Sequence, residues 1–332
     1  MKKIFENIYV FTMDLPFPAT PELSVYYLEG EEPALIDTGL GDPRSMNVIS
    51  SELNEIGRSL GDVSVIINTH EHIEHFGGNQ KIKNASDAYT IASSRAAPII
   101  ENYHQHILNI KKNLLVSDFE PKIKDLINSY MDFNLLIDES KVEKRVRDGE
   151  VIKLGNFNLR VIECLGHALG HICLYDEDRK ILYTGDHVIA TGTTFVGYGW
   201  RDLATKKIVE ILDIRDDKRD NISLYLESLE RLQSLDLKLI LSAHGPPITD
   251  PYKKLREDIE RKLNRERVFL EVLEKRKEIV LEDLIVEAYE VDESNYLLQG
   301  AALGYLERLV KLGKITANQK GNKLYFKIKS SP

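Results

Sequence analysis

A chain of 332 residues that is 42% hydrophobic and 29% charged can bury a full core, which places it among globular proteins of one large domain plus a small one, or of two domains. Its formal net charge of -9 argues against a general binder of nucleic acid or of anionic membrane. Cys164 and Cys173 are its only cysteines, so no disulfide framework is expected and a reducing cytoplasm is the simplest compartment. Acid and amide follow Met1 closely, and no apolar run reaches about 18 residues, so neither a signal peptide nor a membrane span is expected.

Strand signals open the chain at Ile8–Phe11, Ser24–Leu28 and Ala34–Asp37, with a turn at Gly30–Pro33. From Met46 to Leu60, the residues Ile49, Leu53, Ile56 and Leu60 recur at helical spacing. The β-branched run Val63–Ile67 predicts a buried strand, and directly after it stands Thr-His-Glu-His-Ile-Glu-His-Phe-Gly-Gly-Asn, residues 69 to 79. Three histidines and two glutamates fall within six positions there: His70, Glu71, His72, Glu74 and His75. Imidazole and carboxylate gathered where a strand opens into a loop suit a borderline divalent metal such as zinc. A helix from Gly78, a strand at Ala88–Ala92 and a polar, mostly helical region from Ala97 to about Ser129 are expected next. His104 and His106, within that region, are expected to face solvent or pack.

The second half repeats the plan. Hairpins are predicted at 151–154 with 157–162 and at 172–175 with 180–183, then a helix from Ile222 to Leu235 and a strand at Leu237–Ser242. Two halves that each end in a helix-strand unit predict a layered α/β domain over about residues 1–250. Three further fragments sit just after strands: Gly166-His167-Ala168-Leu169-Gly170-His171, Thr184-Gly185-Asp186-His187 and Ser242-Ala243-His244-Gly245-Pro246-Pro247. Cys164 is expected in a strand core, and the glycine-aromatic stretch Thr193–Trp200 is a candidate apolar wall of a substrate pocket. Beyond residue 250, a long amphipathic helix from Tyr252 to Lys277 precedes helices at 281–289 and 295–312. A hairpin of Lys314–Ala317 and Lys323–Ile328, turning at 318–322, closes the chain.

His70-Glu71-His72-Ile73-Glu74-His75, followed in order by His167, Asp186 and His244, resembles the metallo-β-lactamase superfamily, whose hallmark is His-x-His-x-Asp-His. The resemblance implies a four-layer αβ/βα sandwich (residues 1–250) with the metals at one edge. The later helices and hairpin (251–332) resemble a winged-helix domain, as in a subgroup that includes an endoribonuclease and thioesterase-like hydrolases. By the same resemblance, His70, His72 and His167 would hold one metal, Glu74, His75 and His244 a second, with Asp186 bridging. One or two zinc ions are implied, with manganese or iron as alternatives. The family's Asp is Glu74 here, a longer side chain that would shift the loop or weaken the second site.

The implied chemistry is attack by a metal-bound hydroxide on a small thioester, ester or lactone. Asp186 would orient the nucleophile, Glu74 would tune the second metal, and His171 and His187 are candidates for orienting or proton-transfer work. The alternative is a metal-dependent endoribonuclease acting on single-stranded RNA; iron-dependent persulfide dioxygenases share the ligand set. From 278 to 332 there are seven Lys and Arg against eight Asp and Glu, so packing, homo-oligomer formation or pocket capping is expected of this module before nucleic-acid reading.

Overall fold

The computed structural model describes residues 2–17, 20–115, 137–197, 220–293, 296–321 and 323–329. One sheet takes seven strands in chain order: β1 (Lys2–Phe5), β2 (Ile8–Phe17), β3 (Thr20–Leu28), β4 (Ala34–Ile36), β5 (Val65–Ile67), β6 (Tyr89–Ser93) and β7 (Lys144–Val146). β1 to β4 run antiparallel, and β4 to β7 run parallel. Parallel neighbours need long crossovers, and these carry α1 (Pro43–Glu55), α2 (Ile73–Phe76), α3 (Asn79–Ala85), α4 (Ala97–Glu101) and α5 (Tyr103–Leu115). Asp42 caps α1 by accepting from the Ser45 N–H at 2.8 Å, and Pro43 occupies the first turn, where its missing N–H costs nothing. The helix therefore starts before the expected Met46. It ends at Glu55, with Leu60 in a separate 3-10 turn, because Gly57 takes a positive φ of 72°.

The second sheet has five strands, β8 (Val151–Leu154), β9 (Phe157–Glu163), β10 (Ile172–Asp176), β11 (Ile181–Gly185) and β12 (Leu239–Ser242), in the order β12-β11-β10-β9-β8. Only β11 and β12 pair in parallel, and α6 (Asn221–Gln233) lies in their connection. Alternation along each strand sorts side chains into two cores. Leu159, Val161, Ile172, Leu174 and Tyr183 face Val10, Ile36, Val65 and Ile67 of the first sheet. Ile162, Cys173, Tyr175 and Leu182 face outward onto Tyr225, Leu226 and Leu229 of α6. Cys164 is buried with the latter set, as expected. A third core packs Ile49, Leu53, Phe76 and Ile100 on the far face of the first sheet. Helix, sheet, sheet and helix therefore form the layers of a mixed α/β sandwich.

The remaining elements are α7 (Pro251–Arg276), β13 (Ile279–Val280), α8 (Leu281–Tyr289), α9 (Tyr296–Lys311), β14 (Ile315–Lys320) and β15 (Lys323–Ile328), with sheet order β13-β15-β14. Among the described residues, their Leu255, Phe269, Leu273, Leu306 and Leu309 pack in one cluster with Tyr225 and Leu229 of α6. Arg308 joins the parts, donating to Glu266 at 2.8 Å and to the Ser223 hydroxyl. The last hairpin is longer than expected, since Asn318, Gln319 and Lys320 pair with Tyr325, Leu324 and Lys323 instead of turning. Of the region expected to be helical to Ser129, residues 116–129 lie outside the described residues, as do 198–200 of the expected pocket wall. Among the described residues, no helix is long and apolar enough to cross a membrane.

Candidate metal centre

Strand direction decides where the polar fragments meet. β4 and β5 are parallel, β11 and β12 are parallel, and β9 runs with β11 because each opposes β10. Their C-terminal ends therefore share one edge of the sandwich, which is where such layered folds collect ligands. His70 and His72 follow β5, His75 lies on α2, His167 follows β9, Asp186 directly follows β11, and His244 follows β12. Cross-sheet bonds fasten this edge: Ile172 N donates to Thr69 O at 2.9 Å, Ser24 N to Ala243 O at 2.7 Å, and the Tyr26 hydroxyl to Ser242 O at 2.6 Å.

Two groups of potential metal ligands result. His70, His72, His167 and Asp186 form one; His75, Asp186 and His244 form the other. In the first, His72 Nδ1 lies 2.9 Å from His70 Nε2 and 3.2 Å from His167 Nε2. In the second, Asp186 Oδ1 stands 3.3 Å from His75 Nε2 and 3.1 Å from His244 Nε2. Its other oxygen, Oδ2, stands 3.4 Å from His167 Nε2, so the one carboxylate divides its oxygens between the groups.

The outward nitrogens explain this orientation. His75 Nδ1 donates to Asp37 Oδ2 at 2.8 Å, His167 Nδ1 to the Phe195 carbonyl at 2.9 Å, and His244 Nδ1 to the Glu22 carbonyl. Oxygens without protons require Nδ1–H, which turns each Nε2 inward as the atom a metal would take, displacing any second proton there. His70 Nδ1 lies 3.0 Å from the Thr69 hydroxyl, which itself donates to Asp37 Oδ2 at 2.9 Å. Asp37 thus orients His75 directly and His70 through Thr69, while also accepting the Thr69 N–H at 2.8 Å. It does so from the left-handed region, at φ 64°, a conformation uncommon outside glycine. Backbone contact completes the loop: a Cβ at Gly78 would lie 2.3 Å from the Thr38 carbonyl, so only glycine lets the 37–41 turn sit against the histidine loop.

Buried polar atoms in a folded protein normally find partners. Here His75 Nε2 and His244 Nε2 are buried facing Asp186 Oδ1 at 3.3 and 3.1 Å, and the three atoms have no further hydrogen-bond partner among the described residues. Three inward-turned imidazole nitrogens around His72 cannot all donate to one another either. A divalent cation in each group would satisfy these atoms, and the donor set of imidazole and carboxylate is the one zinc-type ions take. Burial, with the neighbouring histidines adding to it, pushes His70 and His72 well below the ordinary imidazole range, which keeps them as the neutral lone-pair donors a metal requires. Burial would raise Asp186, but His75 and His244 outweigh it and hold the carboxyl well below its usual range. Burial likewise acts to lower His75, and the carboxylates of Asp186 and Asp37 overcome it.

The other expected site residues take different positions. Glu74 belongs to neither group; its Oε1 lies 4.0 Å from His75 Nε2, and burial raises its carboxyl. His171 stacks on His70 at 4.7 Å between ring centroids, and its Nε2 accepts the Asp186 N–H at 3.2 Å, so it braces the backbone of the shared carboxylate. His187 is one layer further back, 5.5 Å from the His171 ring and 4.7 Å from Tyr225, and fully buried. His104 sits away from both groups, its Nε2 2.7 Å from the Ile137 carbonyl. Two residues carried no sequence signal strong enough to single them out. Asp37 showed only as a polar residue ending an apolar run. Glu71, one of the two glutamates in the histidine cluster, accepts the Leu169 and Gly170 N–H groups at 3.0 and 3.1 Å and pins the loop that bears His167.

A two-sheet sandwich with an imidazole-carboxylate cluster at one edge defines a layered α/β class with a candidate divalent-metal centre. The family model of the Metallo-beta-lactamase superfamily matches residues 19–244, and the chain belongs to that superfamily. It is 24% identical to the probable metallo-hydrolase YqjP of Bacillus subtilis (strain 168), over 97% of this chain and 98% of that protein. It is also 24% identical to the atrochrysone carboxyl ACP thioesterase nsrC of Aspergillus novofumigatus, over 74% of this chain but only 55% of the relative's length. A metallo-beta-lactamase family protein from Thermus thermophilus shares the fold with a TM-score of 0.77 at 21% identity, covering 98% of this chain and 100% of that one.

Proposed function

We propose that this hydrolase acts on a small thioester, ester or lactone, with His70, His72 and His167 holding one divalent ion, His75 and His244 a second, and Asp186 shared between them. The observation that carries the reading is Asp186, whose Oδ1 faces His75 and His244 while Oδ2 faces His167. Bound divalent ions supply a lowered pKa for water and a Lewis acid for the substrate oxygen. The chain's own residues do the rest. Asp37, Thr69, Phe195 and Glu22 fix the imidazole tautomers, His171 and Glu71 fix the backbones on either side of the cluster, and Glu74 stands at the edge of the second group.

Apolar surface beside the cluster favours an acyl substrate. Leu169 and Phe195, two residues beyond His167 and bonded to it respectively, are 44% and 41% exposed. Relatives named as acyl-carrier thioesterases fit this chemistry. The order β13-β15-β14 behind α8 and α9 supports the winged-helix reading of residues 251–332. Three of its cations are engaged already: Arg308 and Lys314 bind Glu266, and Lys320 binds Glu278. That favours packing over phosphate contact. Zinc is the ion proposed first, on the donor set.

The test is a panel of acyl-thioesters, lactones and single-stranded RNA, run with zinc, manganese and iron in turn. Chelation is expected to abolish thioester or lactone hydrolysis and added metal to restore it. Turnover of RNA alone would overturn the small-molecule reading.

A further inference from the structure

We propose that Lys262, seconded by Lys254, is a positioning residue for the metal site: from α7 it grips the 192–197 segment, whose backbone sets the orientation of the His167 imidazole. The proposal rests on the reading of His167 as a metal ligand.

The starting observation is a buried polar stripe on α7, beside the apolar residues Leu255, Phe269 and Leu273 that the same helix packs into the core. Lys254, Asp258, Lys262 and Glu266 recur one turn apart on α7, and all are buried, with Lys262 only 4% exposed. Lysines are rarely buried without a specific partner. Lys254 Nζ donates to the Gly192 carbonyl at 2.5 Å and to Asp258 Oδ1 at 2.8 Å. Lys262 Nζ donates to the Thr194 carbonyl at 2.7 Å and lies 5.2 Å from the centre of the Tyr225 ring. Burial pushes the Lys262 ammonium down to about 7, a cost that an apolar residue at this position would not carry.

The segment they hold is fixed at its far end as well. Asn221 Nδ2 donates to the Gly197 carbonyl at 2.9 Å, and a Cβ on Gly197 would lie 2.5 Å from the Gly300 carbonyl of α9. Between these anchors, the Phe195 carbonyl and the Thr194 hydroxyl lie 2.9 and 3.2 Å from His167 Nδ1. The neighbouring carbonyls of Thr194 and Phe195 thus serve opposite partners, Lys262 behind and His167 in front. Holding the first keeps the second aimed at Nδ1, and Nδ1–H in turn leaves Nε2 free towards the cluster. The C-terminal module is in this way part of the metal site's support without touching it.

The experiment compares wild type, Lys262→Met and His167→Ala by zinc affinity in chelator competition. It adds the His167 tautomer from 15N-histidine spectra of the metal-free proteins, and thermal unfolding. Lys262→Met is expected to bind zinc about ten-fold more weakly, in the range seen when a ligand's outer partner is lost. It is also expected to lose the single Nδ1–H tautomer of His167 while keeping a cooperative transition. Wild-type affinity and tautomer in Lys262→Met, with weakened affinity in His167→Ala, would overturn the proposal alone. Unchanged affinity in His167→Ala would instead remove His167 as a ligand and with it the underlying reading. If Lys262→Met does not fold, Lys254→Met loosens the same segment at Gly192 and decides: a mixed tautomer supports the proposal, an unaltered one overturns it.

Discussion

The two candidate ligand groups differ in how fully the chain furnishes them. The first has three imidazoles and a carboxylate oxygen, drawn from the loop after β5, the end of β9 and the end of β11. The second has two imidazoles and the other oxygen of the same carboxylate, with Glu74 standing 4.0 Å from His75 Nε2. Four protein donors complete a tetrahedral ion, whereas three leave a position to be supplied from elsewhere. The second group therefore depends more on its supporting atoms, above all on Asp37, which holds His75 from a strained backbone. A site with a spare position and a strained brace is the one expected to vary in occupancy.

The largest expected effect removes the comparison altogether. Asp186→Ala takes an oxygen from each group, so elemental analysis should show both ions reduced and hydrolysis should fall by more than about a hundred-fold. Full metal content in that variant would sink the shared-carboxylate reading. Asp37→Asn should come next. Asparagine tolerates the left-handed φ but removes the charge facing His75, so metal in the second group should bind about 10- to 100-fold more weakly while the first is affected less. Equal losses in both groups would show that Asp37 acts chiefly through Thr69 and His70.

Glu74→Asp sharpens the contrast further. The shorter carboxylate should raise total metal content from about one towards about two ions per chain, the gain falling in the second group. Two ions in wild type, with no gain in the variant, would end that idea. The smallest effect on the metal site is expected at His187. Both its ring nitrogens are buried without hydrogen-bond partners among the described residues, so His187→Phe should leave metal content unchanged and alter stability by less than about 1.5 kcal/mol. A large loss of turnover there, with metal and stability intact, would return His187 to proton transfer.

Much of the chemistry was legible from residue type and order. Histidine is scarce, with 9 in the chain, and its clustering with carboxylates after apolar runs announces strand ends, because a strand's period-2 pattern and a turn's glycines are local properties. The seven expected ligand positions could be written from such local signals together with the family resemblance, and the layered α/β class followed from the alternation of strands and helices.

Tertiary structure decided what local signals do not carry. Which carboxylate is shared depends on strand direction in two sheets, which brings Asp186 between His75 and His244, both far from it in the chain, and beside His167 as well. That Asp37 and Glu71 brace the cluster, that Glu74 falls outside both groups, and that a lysine on α7 reaches the carbonyl beside His167 are facts of packing over long sequence separations. Short strands such as β13 exist only because β15 offers them a partner. Residue order alone set the donors and their succession along the chain. The fold chose which of them face one another, because burial and hydrogen-bond direction are set only when the two sheets close.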